Sequence, residues 1–303
     1  MSNHGMALPS KGLARALLAA IRPHQWTKNL LVLAALLFAQ KFLSTPHVVR
    51  GLVAFALFCA ASSACYLFND VCDAERDRCH PLKRHRPVAS GALPAKVALL
   101  ASAVLAIAAI ACGFALRVRF GQVVVIYLAL QLAYSLVLKH EVIIDVLCIS
   151  GSFVLRAYGG AAAIKVPIST WLMLCTGLLA LFLALAKRRH ELLQVNEATA
   201  HRRSLAQYSA QMLDQMIGVV TASTLVVYAL YTMWPQTIAK FGSDKLKYTI
   251  PFVLYGIFRY LYLVYSKNEG GNPSRQLLTD VPLLIDVFLY GVACACIIAY
   301  GAH

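Results

Sequence analysis

The sequence predicts an all-α, polytopic membrane protein, and three observations carry that prediction. Of its 303 residues 60% are apolar, enough to fill about nine spans of roughly 20 residues. The mean hydropathy is +0.67, and only 14% of the residues are charged, where soluble domains carry about 25%. The apolar residues also fall in long runs separated by basic loops, and no soluble domain or low-complexity tract intervenes. A soluble enzyme, a disordered chain and a disulfide-stapled secreted domain are thereby excluded.

The runs are 29–43, 49–68, 95–116, 120–138, 142–164, 169–186, 214–234, 248–265 and 281–300. They are read as a nine-helix bundle, one domain over 1–303. The first run is the weakest, because Lys28 and Lys41 enclose it; both lysines can snorkel, with Trp26 as an interface anchor. Residues 1–28 are polar and basic and show no signal-peptide core followed by small residues, so the first run is read as a retained helix. With nine spans the termini face opposite sides. The side shared with the N-terminus carries 18 Lys and Arg and the other side 8, which places the N-terminus in the cytoplasm and the C-terminus outside. Seven of the nine cysteines sit inside apolar runs and no C-x-x-C occurs, the pattern of reduced thiols acting as small hydrophobes.

The acidic residues are more one-sided than topology requires. Asp70, Asp73, Glu75, Asp77, Glu141, Asp145, Glu191, Glu197, Asp214, Glu269 and Asp280 fall at or near the cytoplasmic face, while Asp244 lies outside and Asp286 within the last helix. The densest group is Asn69-Asp70-Val71-Cys72-Asp73-Ala74-Glu75-Arg76-Asp77, an N-D-x-x-D-x-x-x-D pattern. On a helix Asp70, Asp73 and Asp77 share an arc of about 60°. Three carboxylates on one face repel unless a cation lies among them. Hard oxygen ligands suit Mg²⁺, which shares its shell with water and substrate phosphates. A magnesium–diphosphate site at the membrane surface is the functional reading; a solvated charged loop is the alternative.

Basic residues surround this motif. His80-Pro81-Leu82-Lys83-Arg84-His85-Arg86-Pro87 stops the helix, and Lys83 and Arg86 are phosphate-ligand candidates or ordinary positive-inside charges. Lys139 precedes Asp145 at the start of the fifth run, and Lys187-Arg188-Arg189-His190-Glu191 closes the sixth, where Glu191 can pair with Lys187 or Arg188. Arg156 shares a helix face with Asp145 and lies roughly 16 Å deeper. A charge at that depth faces the bundle interior, as a functional group or half of a buried ion pair. Arg259 and Asp286 are expected to pair structurally, and Asp280 is within reach of the pocket.

N-D-x-x-D-x-x-x-D at the end of the second of nine spans resembles the UbiA superfamily of intramembrane prenyltransferases. That resemblance implies a helical cavity capped by cytoplasmic loops and a prenyl diphosphate held through Mg²⁺ on two aspartate-rich motifs. The second motif is missing here: the sixth span ends in Lys187-Arg188-Arg189-His190-Glu191 with no D-x-x-x-D. With Arg22-Pro23-His24-Gln25-Trp26-Thr27-Lys28-Asn29, the stretch from Tyr134-Ser135 through Lys139-His140 to Asp145, and Phe153-Val154-Leu155-Arg156, the sequence looks like the decaprenyl-phosphate phosphoribosyltransferase branch. The branch implies Mg²⁺-dependent transfer of 5-phosphoribosyl from phosphoribosyl diphosphate to a polyprenyl phosphate in a bacterial cytoplasmic membrane. Asp70, Asp73 and Asp77 would be the catalytic metal ligands. Lys28, Asn69, Lys83, Arg86, Tyr134, Lys139, Asp145, Arg156, Lys187, Arg188 and Glu191 would be the substrate-binding residues. Its partners would be the two substrates and membrane lipids, with no nucleic acid. Two other readings stay open: a prenyltransferase acting on an aromatic or lipid acceptor, and a transporter, which would place its charges at the midplane in matching halves.

Overall fold

Long apolar runs become long helices because each backbone polar group must find its partner within the segment. The computed structural model describes residues 10–81, 83–167, 169–194, 205–267, 271, 276 and 279–300, and all regular structure among them is helical. The order is α1 (Ser10–Ile21), a 3-10 segment (Pro23–Leu33) leading into α2 (Ala34–Phe38), α3 (Thr45–Cys72), α4 (Ala74–Arg78), α5 (Ala95–Leu116), α6 (Val118–Leu136), α7 (Ile144–Ile164) and α8 (Thr170–Gln194). Then follow α9 (Ala210–Met233), α10 (Pro235–Phe241), α11 (Ile250–Ser266) and α12 (Val281–Tyr300). Glu197 and Glu269 lie outside the described residues.

Seven helices, α3, α5, α6, α7, α8, α9 and α12, are long and apolar enough to cross a membrane. The other two apolar runs take different forms. The run 248–265 gives the 17 residues of α11, and 29–43 is divided between the 3-10 segment, the five residues of α2 and a turn. Leu100, Ile107, Val219 and Phe288 point outward, as lipid-facing positions do.

Two of the apolar cores that hold the helices together flank the site. Phe58 of α3, Phe120 and Tyr127 of α6, Ala163 of α7 and Val32 of the 3-10 segment form one; Phe58 meets Phe120 and Tyr127 edge to face at 5.8 and 5.4 Å. Phe182 and Leu185 of α8, Leu213 and Ile217 of α9, and Tyr260 and Leu263 of α11 form the other. Beyond its apolar part, α8 continues into a charged end, where Arg189 Nε meets Asp214 Oδ1 of α9 at 2.5 Å and its guanidinium lies over Tyr265 of α11.

One expected pair is corrected. Arg259 does not meet Asp286; it forks onto Asp280, Nη2 to Oδ2 at 2.8 Å and Nε to Oδ1 at 3.1 Å. Asp280 sits just ahead of α12, about 9 Å along the helix from Asp286, and a long arginine side chain swings toward the wetter partner. Asp286 instead packs at Gly256, where an added Cβ would stand 2.8 Å from its Oδ2.

The 3-10 segment determines how the site is built. Runs of this helix beyond a few residues are uncommon because its hydrogen bonds are poorly aligned, so eleven residues need outside support. Trp26 Nε1 donates to Ser63 Oγ at 3.1 Å, and Ser63 Oγ donates to the carbonyl of Ile21 at 3.1 Å. Asn29, fully buried, donates to Ser62 Oγ at 3.1 Å. On the other side Gly160 of α7 lets the segment approach: a Cβ there would lie 1.9 Å from the carbonyl oxygen of Val32. Gly160→Ala is therefore expected to cost about 1–3 kcal/mol through overpacking and to lower Tm, whereas Gly218→Ala, with nothing within 4 Å of the added carbon, leaves Tm unchanged or slightly raised; thermal unfolding in detergent checks both.

Candidate active site

The ends of α3, α6 and α8 and the starts of α5 and α7 meet at one end of the bundle, and charged side chains fill the junction. The acidic motif spans the break between α3 and α4: Asp73 is the C-cap of α3 and the residue before α4, with φ −97° and ψ 2°. The helical hydrogen bonds continue across it, Asp73 N–H to the Asn69 carbonyl and Asp77 N–H to the Asp73 carbonyl.

Each carboxylate holds a cation. Asp70, 1% exposed, accepts from Arg22 Nη2 at 2.5 Å and Arg86 Nη1 at 3.3 Å. Asp77 accepts from the same Arg86 nitrogen at 2.6 Å. Asp73 turns to the α6–α7 connection, taking Lys139 Nζ at 2.6 Å on one oxygen and Asn69 Nδ2 at 3.0 Å on the other. The helix stripe read from spacing is thus split: Asp70 and Asp77 converge on Arg86, and Asp73 on Lys139. Three carboxylates face three cations, so the cluster is close to neutral.

The donor set suits a hard divalent cation. All its oxygens are carboxylate or amide, and Asp70 Oδ2 is buried and accepts no hydrogen bond, a costly state for an anionic oxygen that a cation relieves. Among the described residues no three His, Cys, Asp or Glu converge closely enough to hold a metal alone. Mg²⁺ does not ask for that, because it keeps water and substrate oxygens in its shell.

A second network joins α7 to the end of α8. Arg188, 2% exposed, donates Nε to Asp145 Oδ2 at 2.7 Å, Nη1 to Glu191, and Nη2 to Tyr134 Oη at 3.4 Å. Lys187 Nζ is 3.8 Å from Glu191. Tyr208, which the sequence did not single out, completes it: its hydroxyl donates to Asp145 Oδ1 at 2.8 Å and accepts the Ile143 N–H at 2.7 Å. Ile143 has φ 69°, an outlier for a β-branched residue, so the tyrosine fixes both a strained backbone and the carboxylate beyond it. Lys83 lies on an exposed 3-10 turn, Lys83–His85.

Arg156 is the third feature. It is 2% exposed, and among the described residues no carboxylate pairs with it. Neutral groups hold it: Nε donates to Asn29 Oδ1 at 2.7 Å, Nη1 to the Ser152 carbonyl and Oγ, and Nη2 to Tyr127 Oη at 2.8 Å. Its guanidinium also lies over the rings of Tyr127 and Phe153. Lys28 sits nearby on the 3-10 segment. The like charges of Lys187, Arg156 and Arg22 are its neighbours.

Neutral acid patch, pinned arginine and uncompensated cations meet in a helical membrane enzyme. The UbiA prenyltransferase family model matches residues 29–279, and the chain belongs to that family. It is a multi-pass membrane protein and a transferase. It is 34% identical to a decaprenyl-phosphate phosphoribosyltransferase of Mycobacterium tuberculosis over 99% of this chain and 100% of that protein. A protein of the same name from Mycolicibacterium smegmatis is 38% identical over 75% of this chain and 72% of its own length. A solved UbiA homolog from Archaeoglobus fulgidus, bound to DMAPP and Mg²⁺, superposes with a TM-score of 0.70 at 19% identity, covering 94% of this chain and 97% of that one. It shows the shared fold.

Two outcomes follow from this geometry. Tyr208→Phe removes a hydroxyl with two hydrogen-bond partners, one of them the buried Asp145, and is expected to cost about 1–3 kcal/mol, read as a lower Tm with a several-fold loss of turnover. Lys28 is a cation with the like charges of Lys187, Arg156 and Arg22 nearby, so Lys28→Met is expected to raise Tm in the substrate-free protein; thermal unfolding in detergent checks it.

Proposed function

We propose that the chain transfers the 5-phosphoribosyl group from phosphoribosyl diphosphate to a polyprenyl phosphate of the decaprenyl type, releasing diphosphate. The observation that carries this reading is Arg156, buried without a carboxylate beside Lys28, at a site whose α8 end is basic. Such a surplus of positive charge suits several phosphate groups. The likeness to decaprenyl-phosphate phosphoribosyltransferases along nearly the whole chain supports the same choice.

In the reaction the bond between ribose C1 and the diphosphate oxygen breaks as an oxygen of the lipid phosphate bonds to C1 from the opposite face. The electron pair of the broken bond leaves on the diphosphate, and C1 gains oxocarbenium character between the two. Mg²⁺ on Asp70, Asp73 and Asp77 would neutralise charge on the leaving diphosphate. Asn69 and Lys139 orient Asp73, and Arg86 draws Asp70 and Asp77 together. Lys28, Lys83, Arg156, Lys187 and Arg188 supply the positive field for the ribose 5-phosphate and the lipid phosphate. Asp145, Glu191 and Tyr134 hold Arg188 in place and offer groups for ribose hydroxyls. The acceptor is already an anion, so positioning and electrostatics carry the catalysis.

The topology that serves this reaction is a single domain of nine spans in a bacterial cytoplasmic membrane. The N-terminus and a cavity face the cytoplasm, and the C-terminus lies outside. The 3-10 segment with α2 and the 17-residue α11 supply the two crossings beyond the seven long helices.

Purified protein in detergent, given labelled phosphoribosyl diphosphate, is expected to form an organic-extractable labelled lipid only with both magnesium and polyprenyl phosphate. Asp73→Asn should abolish that product while the protein stays folded. Label moving instead from a prenyl diphosphate to an aromatic acceptor would overturn the reading, and near-normal turnover by Asp73→Asn would remove the metal assignment.

A further inference from the structure

Arg22 lies beside the acid patch and is outside the residues already given roles. It precedes the 3-10 segment, in a left-handed backbone conformation with φ 54° and ψ 64°. A non-glycine residue is held there only when its surroundings over-determine it, and such strain clusters at working sites. Two contacts do the holding: Nη2 lies 2.5 Å from Asp70 Oδ1, and the guanidinium lies over the ring of Tyr66, 5.2 Å from its centroid. The side chain is 21% exposed, whereas Asp70 is 1% exposed. The arginine therefore sits at the rim of the acid patch and reaches in.

We infer that Arg22 is a ligand of the leaving diphosphate, parked on Asp70 until metal and diphosphate arrive together. The inference rests on the metal–diphosphate reading above and adds a residue and an order of events to it. Charge is the first argument. Arg22, Arg86 and Lys139 already balance Asp70, Asp73 and Asp77, so a bare divalent cation gains little from the patch and must displace two guanidinium contacts from Asp70. A metal–diphosphate complex meets a different balance, because it is a net anion. Each displaced guanidinium exchanges a carboxylate oxygen for phosphate oxygens, which its planar fork grips with two hydrogen bonds. Asp70 supplies the second argument. One of its oxygens is shared by Arg22 and Arg86, while the other is buried with no hydrogen bond. That is the arrangement expected of a ligand whose present partners are stand-ins. Metal and diphosphate binding are then coupled through the arginines, and reciprocally.

The test measures binding rather than turnover, on the full chain in detergent. Mn²⁺ alone is titrated by electron paramagnetic resonance, and labelled inorganic diphosphate is titrated at saturating Mn²⁺. Arg22→Gln is expected to bind Mn²⁺ alone at least threefold more tightly than the unaltered protein, and diphosphate at least tenfold more weakly. Opposite signs in the two titrations are what a merely structural role cannot give, since a damaged site loses both. Arg22→Lys, which keeps the charge but not the fork and guards against a glutamine variant that fails to fold, should leave Mn²⁺ binding near normal and still weaken diphosphate severalfold. Unchanged or weakened Mn²⁺ binding in Arg22→Gln, or undiminished diphosphate affinity in either variant, overturns the inference. Asp70→Asn separates the two levels. If it loses Mn²⁺ and diphosphate while the Arg22 variants behave as the unaltered protein, only the role of Arg22 falls; if it keeps both ligands, the metal reading falls and takes this inference with it.

Discussion

A buried guanidinium with no carboxylate beside it organises this molecule. Taking Arg156 out of water without a counter-charge is expensive, and the cost is met by six hydrogen-bonding and ring contacts. The contact with Asn29 matters most for the rest of the fold. Asn29 accepts from Arg156 on α7 and donates to Cys59 Sγ and Ser62 Oγ on α3, so one amide joins two spans through a segment that is not an α-helix. Irregular backbone at membrane depth survives only where protein encloses it. That enclosure in turn delivers Lys28 and Arg22, on one short stretch of chain, to opposite halves of the site.

Those halves differ in charge. At the end of α3 the carboxylates are balanced one for one by Arg22, Arg86 and Lys139. Around Arg156 and Lys28 positive charge is left over, and the low local dielectric makes that surplus felt further than it would be in water. A neutral patch lies next to a positive one, and in the proposed reaction the first would take a metal with its diphosphate and the second a phosphate. Two strained residues mark its edges, Arg22 at φ 54° and Ile143 at φ 69°. Each is held by a side-chain contact within the site.

Much of this was legible in the sequence. Apolar runs located the helices, and the run 95–116 coincides with α5, because burial in lipid demands length and apolarity together. The acidic motif and the basic ends of α6 and α8 were legible as charge at one face, and the structure brings Lys139 to Asp73 and Arg188 to Asp145 and Glu191. Composition did not distinguish a 3-10 run from an α-helix in 29–43, since what selects it is the pinning of Trp26 and Asn29 and the bare backbone of Gly160. Arg259 was matched to Asp286 by depth, yet a side chain that long ignores a difference of about 9 Å in favour of the interface. Tyr208 carried no periodic or charge signal, and Arg22 entered only as part of the Arg22–Asn29 stretch; their contacts come from where the chain folds back.

The carboxylates of the α7–α8 network bear on which acceptor the site serves. Asp145 accepts from Arg188 on one oxygen and Tyr208 on the other, and Glu191 is engaged by Arg188 and Lys187. A phenol or alcohol acceptor must lose a proton as it attacks, and both carboxylates of this network are already engaged by donors from the protein. Glu191 at the end of α8 and Asp145 at the start of α7 both orient an arginine. A phosphate acceptor arrives already charged, needs cations rather than a base, and finds Arg156 and Lys28 with no carboxylate to hold them. The same residues that make the site ill-suited to activating a neutral nucleophile therefore suit it to one that is anionic from the start.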